Sequence, residues 1–238
     1  MVRLTQREST KHKKMKLIYF NYLAYAEPIK MMMNHGNIPY EFIFPWDYFG
    51  TEKWSDSKKD VPFGKLPILV IDEETTLWES GAIMRYLSRK TNTMPEDEIL
   101  KAKVDAVFDN TKDFVYPIDA TFGARVDEEF QEYKLELTSN LSDLIRPFYN
   151  LLEENGPFLF SDKAFYCDFA FYHHMKLLKD CAGELLDNYP KIINFCETFE
   201  KLRGIDDYLK NRPSLIGIGK DPKLGHEGNF LPTGYWRN

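Results

Sequence analysis

Tyr19 stands near the end of an apolar run of strand-forming residues, Leu17-Ile18-Tyr19-Phe20. Open α/β sheets tend to place ligands at such strand ends. A phenol there can donate to a thiolate and favour the charged form of a thiol that otherwise titrates near ~8.5. Taken alone, a tyrosine in an apolar run is more often a core ring, so both readings stand. Ser80 opens an amphipathic stretch as a helix N-cap would, and unpaired N–H groups at such a start attract a carboxylate; a plain cap would look the same. His173 and His174 are neighbours in a helical run and should face different directions, one into the core and one to the surface, which makes a poor metal pair. Cys167, Cys181 and Cys196 are odd in number and include no CxxC, so they read as buried thiols in reducing surroundings, not as a disulfide framework or a zinc site. The GxGxxG, GxxxxGK and HExxH patterns are absent, which removes the commonest nucleotide and zinc-protease signatures. No metal is expected.

The elements that would hold these residues change character along the chain. The order through the first half is strand (Leu17–Phe20), helix (Glu27–His35), strand (Tyr40–Phe44), an aromatic and charged stretch without a clean period (Pro45–Asp60), strand (Leu66–Ile71), hairpin partner (Thr75–Trp78) and helix (Ser80–Lys90). Pro28 suits the first turn of the first helix, and Gly36 its end. This β-α-β-β-β-α order is thioredoxin-like.

From Glu98 the period is helical throughout. Stripes run through Val104, Phe108, Thr111, Phe114 and Val115, through Leu137 to Leu152, through Phe169 to Leu178 and through Ile192 to Leu202. Pro147 should kink the second of these helices. The predicted layout is an N-terminal tail at 1–14, a thioredoxin-like domain at 15–92, a linker at 93–97, an all-helical domain at 98–213 and a Gly-rich segment at 214–238. The last is either a loose tail or an arm across the body. A net charge of -6, from 31 basic and 37 acidic residues, argues against a nucleic-acid face. No run approaches the roughly 20 apolar residues that span a bilayer, and Met1 to Lys14 lacks the apolar core of a secretory signal. A cytoplasmic protein without membrane partners is expected.

Four separated pieces then fall into order with one family. Lys16 to Asn21 with Ala26-Glu27 resembles the first strand and helix start of cytosolic glutathione transferases. Val61-Pro-Phe-Gly-Lys65-Leu66-Pro67 resembles their central loop, whose proline is cis. Trp78-Glu79-Ser80-Gly-Ala-Ile-Met-Arg85 resembles their glutathione-binding helix start, and Tyr208-Leu-Lys-Asn-Arg212-Pro213 the end of their helical domain. The likeness covers roughly Lys16 to Ser214 and leans to the sigma class, which includes glutathione-dependent prostaglandin D synthases.

The resemblance implies glutathione as co-substrate and Tyr19 as the residue that activates its thiol. It implies that backbone groups of Leu66, turned by Pro67, pair with the cysteinyl part, and that Ser80 anchors the γ-glutamyl carboxylate. Glu79 would take the γ-glutamyl ammonium, and Trp54, Lys58 and Lys65 the glycine carboxylate. Asp105 would reach the ammonium from the neighbouring subunit of a homodimer. A hydrophobic electrophile would be conjugated, with peroxide reduction or prostaglandin isomerisation as related chemistry. Spacing alone suggests Tyr25, Phe108, Thr111, Lys112 and Val115 as walls for that second substrate.

Two departures qualify the likeness. Tyr25 occupies the position where the family usually places an arginine beside the thiolate, which implies a higher bound-thiol pKa than in relatives. Phe165 replaces the hydroxyl residue of a Ser/Thr-x-x-Asp capping box that ends at Asp168, a loss on the order of 1 kcal/mol. These motivate an alternative, a non-catalytic relative with a structural (crystallin-like) or ligand-binding role.

Overall fold

The computed structural model describes residues 14–20, 23–114 and 125–220. Strands β1 (Met15–Ile18), β2 (Tyr40–Ile43), β3 (Ile68–Val70) and β4 (Thr76–Trp78) form one sheet in the order β2-β1-β3-β4. β1 pairs parallel with β2 and antiparallel with β3, which pairs antiparallel with β4. β1 is shorter than its apolar run: the ladder stops at Ile18, and beyond it the Tyr19 N–H donates to Ile43 O at 3.2 Å. The parallel pair needs a crossover, supplied by α1 (Glu27–His35), which starts with a proline in its first turn. The stretch without a period becomes two short helices, α2 (Pro45–Phe49) and α3 (Trp54–Ser57), followed by 3₁₀ turns. α4 (Ser80–Lys90) packs against α1.

The second half comprises α5 (Glu98–Asn110), a 3₁₀ turn (Thr111–Phe114), α6 (Asp127–Asn155), α7 (Tyr166–Ala182), α8 (Pro190–Glu200) and α9 (Ile205–Asn211). α6 runs on past Pro147 to Asn155 as one helix. α7 is the axis of this half. Fourteen of its seventeen residues are buried, and it packs on α5, α8, α1 and α4. A helix with apolar residues all round must lie inside a protein. Its start lacks a side-chain hydroxyl, yet Asp168 compensates by accepting the N–H groups of Phe165 at 2.8 Å and of Leu159 at 2.9 Å.

A buried polar cluster ties the halves together. Glu27, 0% exposed at the start of α1, accepts from Tyr208 Oη at 2.5 Å and from Arg212 Nη1 at 3.3 Å, and pairs with Lys30 Nζ at 3.4 Å. Burial pushes the Glu27 carboxyl up. The charges of Lys30 and Arg212, with the bonds from Tyr208 and Lys30, outweigh it and hold the group below its ordinary value. Beyond α9 the chain returns to the body: Asp127 N–H donates to Gly219 O at 2.8 Å, and Leu215 is buried. Gly219 has φ 79°, and a Cβ there would stand 2.9 Å from the Phe130 ring, so only glycine fits this approach. Residues 214–220 are thus an arm laid on α6, and the rest of the Gly-rich segment lies outside the described residues.

Candidate functional site

A cleft of about 1330 Å³, counting its open mouth, runs along the ends of β1, β3 and α4. Tyr19 reaches it because β1 stops one residue earlier, which leaves the tyrosine just past the C-terminal end of this central strand with its ring packed at 5.6 Å from Phe20. Leu66 and Pro67 line the same cleft just outside the β3 ladder, which begins at Ile68; their peptide bond is cis.

The third wall is the start of α4. Glu79, not Ser80, is its N-cap, so Ser80 moves into the first helical position. Ser80, Gly81 and Ala82 all line the cleft, and the first N–H groups of a helix have no partner within it. Together with the helix dipole they favour negative charge at this end of the helix. Glu79 has φ 64° and ψ 121°, a region that costs a non-glycine residue on the order of 1–3 kcal/mol. In this conformation Glu79 lines the cleft.

Of the residues anticipated for glutathione, Tyr19, Trp54, Lys65, Leu66, Pro67, Glu79 and Ser80 line this one cleft. Lys58 does not. Its side chain packs under the loop that precedes Lys65, where a Cβ on Gly64 would stand 3.1 Å from Lys58 Cε. Asp105 is also outside the cleft wall and accepts from Arg85 Nε at 2.9 Å within its own chain. Arg85 itself lines the cleft, and no sequence signal had separated it from an ordinary helix-surface arginine.

A second, more enclosed pocket adjoins the cleft and shares Tyr25, Ser80 and Lys112 with it. It holds about 420 Å³ of empty space, part of it open to solvent at the mouth, and its remaining walls include Met84, Phe108 and Thr111. Four of the anticipated wall residues, Tyr25, Phe108, Thr111 and Lys112, therefore meet here; Val115 lies outside the described residues. The floor was not anticipated. It comes from α7, through Ala170, His173 and His174. Both histidines are buried, 1% and 5% exposed, which corrects the expected split between core and surface. The reason is α7 itself: a helix enclosed all round has no outward face for the second ring.

The electrostatics of the two chambers differ. Lys112 brings an ammonium to the boundary, but Asp109 takes it up at 2.9 Å, and Asp109 also accepts from Arg85 Nη2 at 3.1 Å. Tyr25 is 42% exposed and brings a phenol, not a positive charge, to the same boundary. Burial pushes His173 down to about 3, with the charges of Arg212 and Lys30 adding to it; burial, then His173, holds His174 well below the ordinary imidazole value. Among the described residues no group of His, Cys, Asp and Glu could hold a metal, and no helix is long and apolar enough to cross a membrane.

Comparison with known proteins agrees with this geometry. Residues 15–89 match the glutathione S-transferase N-terminal domain, and residues 112–212 its C-terminal domain. Human hematopoietic prostaglandin D synthase is 29% identical over 201 residues, which is 83% of this chain and 96% of that protein. A glutathione S-transferase structure from Caenorhabditis elegans superposes with a TM-score of 0.72 at 27% identity, covering 84% of this chain and 99% of that one. The fold is shared as well by Na-GST-3 of the hookworm Necator americanus, described as monomeric, at a TM-score of 0.73 and 21% identity over 85% of this chain and 98% of that one. The two domain matches, in order and covering most of the chain, make it a member of the glutathione S-transferase family.

Proposed function

We propose that this chain is a tyrosine-type, sigma-like glutathione transferase that ionises bound glutathione against Tyr19 and passes its sulfur to an apolar electrophile in the adjoining pocket. The observation that carries the reading is the convergence of Tyr19, Leu66-Pro67 and the first turn of α4 on one open cleft with an enclosed apolar chamber beside it. The first turn of α4 binds the γ-glutamyl carboxylate and Glu79 its ammonium. Leu66 pairs with the cysteinyl backbone, which brings the sulfur towards the Tyr19 phenol. Trp54 and Lys65 take the glycine end, with Lys58 supporting the loop from beneath. The phenol donates to the thiolate, a hydrogen bond to a charged acceptor. Proximity of thiolate and electrophile does the rest.

Peroxide reduction and prostaglandin endoperoxide isomerisation would use the same thiolate on an O–O bond. The likeness to human hematopoietic prostaglandin D synthase supports keeping the second within reach. A cytoplasmic setting suits a protein that depends on glutathione. Dimerisation through the face that carries Phe63, 72% exposed at φ 65° beside Gly64, would bring Asp105 of a second copy towards the cleft.

The test is calorimetric titration of glutathione into wild type and Tyr19→Phe, alongside turnover of 1-chloro-2,4-dinitrobenzene. Binding by both with turnover reduced about 10- to 100-fold in Tyr19→Phe is expected, the worth of one hydrogen bond to a charged group. Absence of glutathione binding by wild type overturns the reading and favours the non-catalytic alternative, for which the missing charge at Tyr25 is the specific observation.

A further inference from the structure

Gly81 has no conformational reason to be glycine. It lies in the first turn of α4, and its φ is not positive. Glycine weakens a helix relative to alanine, so the position calls for a reason in space. A Cβ there would stand 3.0 Å from Arg85 Nη1, 3.3 Å from Phe108 Cε1 and 3.8 Å from Lys112 Nζ. The missing side chain is what lets the Phe108 ring lean against α4.

Phe108 stands between the two chambers. Gly81 and Arg85 line the glutathione cleft, Phe108 lines the enclosed pocket, and Lys112 lines both. The ring is held by its other neighbours. The Arg85 guanidinium lies over it at 5.3 Å from the centroid and Lys112 Nζ at 5.7 Å, while the fully buried Tyr166 packs at 5.0 Å. Arg85 is itself tethered, through Nε to Asp105 at 2.9 Å and through Nη2 to Asp109 at 3.1 Å. An overfilled, close-packed contact relieves itself by shifting a side chain. Among the described residues, the open space beside Phe108 is the enclosed pocket.

We propose that Gly81 is a specificity-determining residue: by leaving room for Phe108, it sets how large an apolar electrophile the enclosed pocket accepts. The assignment rests on the transferase reading and names its substrate range, single-ring electrophiles extended by a short alkyl chain. Alanine would require a ring contact to give by a few tenths of an ångström. The pocket that receives the ring holds about 420 Å³, counting its mouth, which is at the small end for a ligand site. With a benzylic chloride as electrophile, the C–S bond forms as the C–Cl bond breaks; chloride leaves with the electron pair, and the thiol proton goes to solvent.

The experiment compares 4-methylbenzyl chloride with 4-butylbenzyl chloride at saturating glutathione, in wild type, Gly81→Ala, Phe108→Leu and the double variant. The ratio of the two kcat/KM values cancels any change in how glutathione is held. Alanine favours a helical turn, so the fold is kept. Gly81→Ala should cut the butyl-to-methyl ratio about 10-fold, the scale on which an apolar pocket distinguishes chain lengths. In the Phe108→Leu background the same alanine should leave the ratio where it was, because the ring it pushes is gone; such non-additivity marks a direct contact. A second measurement needs no turnover: p-xylene and 4-butyltoluene are titrated into wild type and Gly81→Ala, and alanine should weaken binding of the butyl compound selectively. If Gly81→Ala leaves the ratio unchanged, Gly81 serves the glutathione cleft alone, and this inference is overturned with the transferase reading intact. An equal effect of alanine with and without the Phe108 ring overturns it as well. If wild type fails to bind glutathione, the transferase reading fails, and the unreactive pair decides the inference alone: no binding of either compound, or equal weakening of both, overturns it.

Discussion

Arg85 donates from Nε to Asp105 at 2.9 Å, so the carboxylate proposed to serve a neighbouring subunit is already engaged inside its own chain. Asp105 is partly exposed and shares Arg85 with Asp109, so this pair is the kind that contributes little to stability. It is free to be exchanged for a ligand ammonium. Asp105→Asn should weaken glutathione binding about 5-fold, roughly 1 kcal/mol, with melting temperature little changed. An unchanged dissociation constant by calorimetry would remove Asp105 from the site.

Among the described residues, the boundary between the two chambers lacks a free cation, because Tyr25 is a phenol and Asp109 takes up Lys112. Tyr25→Arg places a guanidinium near the sulfur, and a nearby opposite charge favours the ionised thiol. The pKa of enzyme-bound glutathione, read from thiolate absorbance near 240 nm, should fall by about 1 unit. Turnover below neutral pH should rise in proportion. No movement would mean that residue 25 does not face the sulfur.

Glu27 links folding to acidity. Its carboxyl titrates lower in the folded chain than its ordinary 4.5, so the folded form binds the proton less readily than the unfolded one. The stability this supplies is present above about 4.5 and is lost as pH falls through the depressed folded value. Glu27→Gln should cost about 3 kcal/mol at pH 7, the lower end for breaking a buried ion pair. Urea midpoints of the two proteins should stay apart from pH 8 to 5 and converge below that. Parallel curves down to pH 3 would contradict the assignment.

Phe63 is the most exposed of the large apolar side chains among the described residues. If it packs into a second copy, Phe63→Ser should move the protein towards monomer in light scattering and weaken glutathione binding through loss of the partner's Asp105. A wild-type protein that is already monomeric at micromolar concentration would set this chain beside the monomeric Na-GST-3.

The parts of the site that were legible in the sequence lie where an element ends in a marked way. Tyr19 stands near the end of an apolar run, Pro67 precedes one, and Ser80 follows Trp78-Glu79 at a change of period. The order of strands and helices was legible for the same reason. Residues 45–60 were not, because helices of one or two turns leave no period to read. The histidine floor was missed through a sound rule wrongly applied. Adjacent helical residues do point apart, but Tyr-Cys-Asp-Phe-Ala-Phe-Tyr at the head of α7 has apolar residues on every side, and that was the signal that both directions lead inward. The partner of Asp168 was hidden as well, since Leu159 N–H and Phe165 N–H are backbone groups that leave no trace in residue type.

The pairing of Glu27 with Tyr208 and Arg212 joins the first domain to residues translated 181 and 185 positions later. Until α9 emerges, the first domain carries a glutamate placed for burial whose distant partners have not been translated. A chain cut short before Tyr208 could not close its interior around that charge. Such a fragment should be cut by proteases more readily than a chain that includes α9.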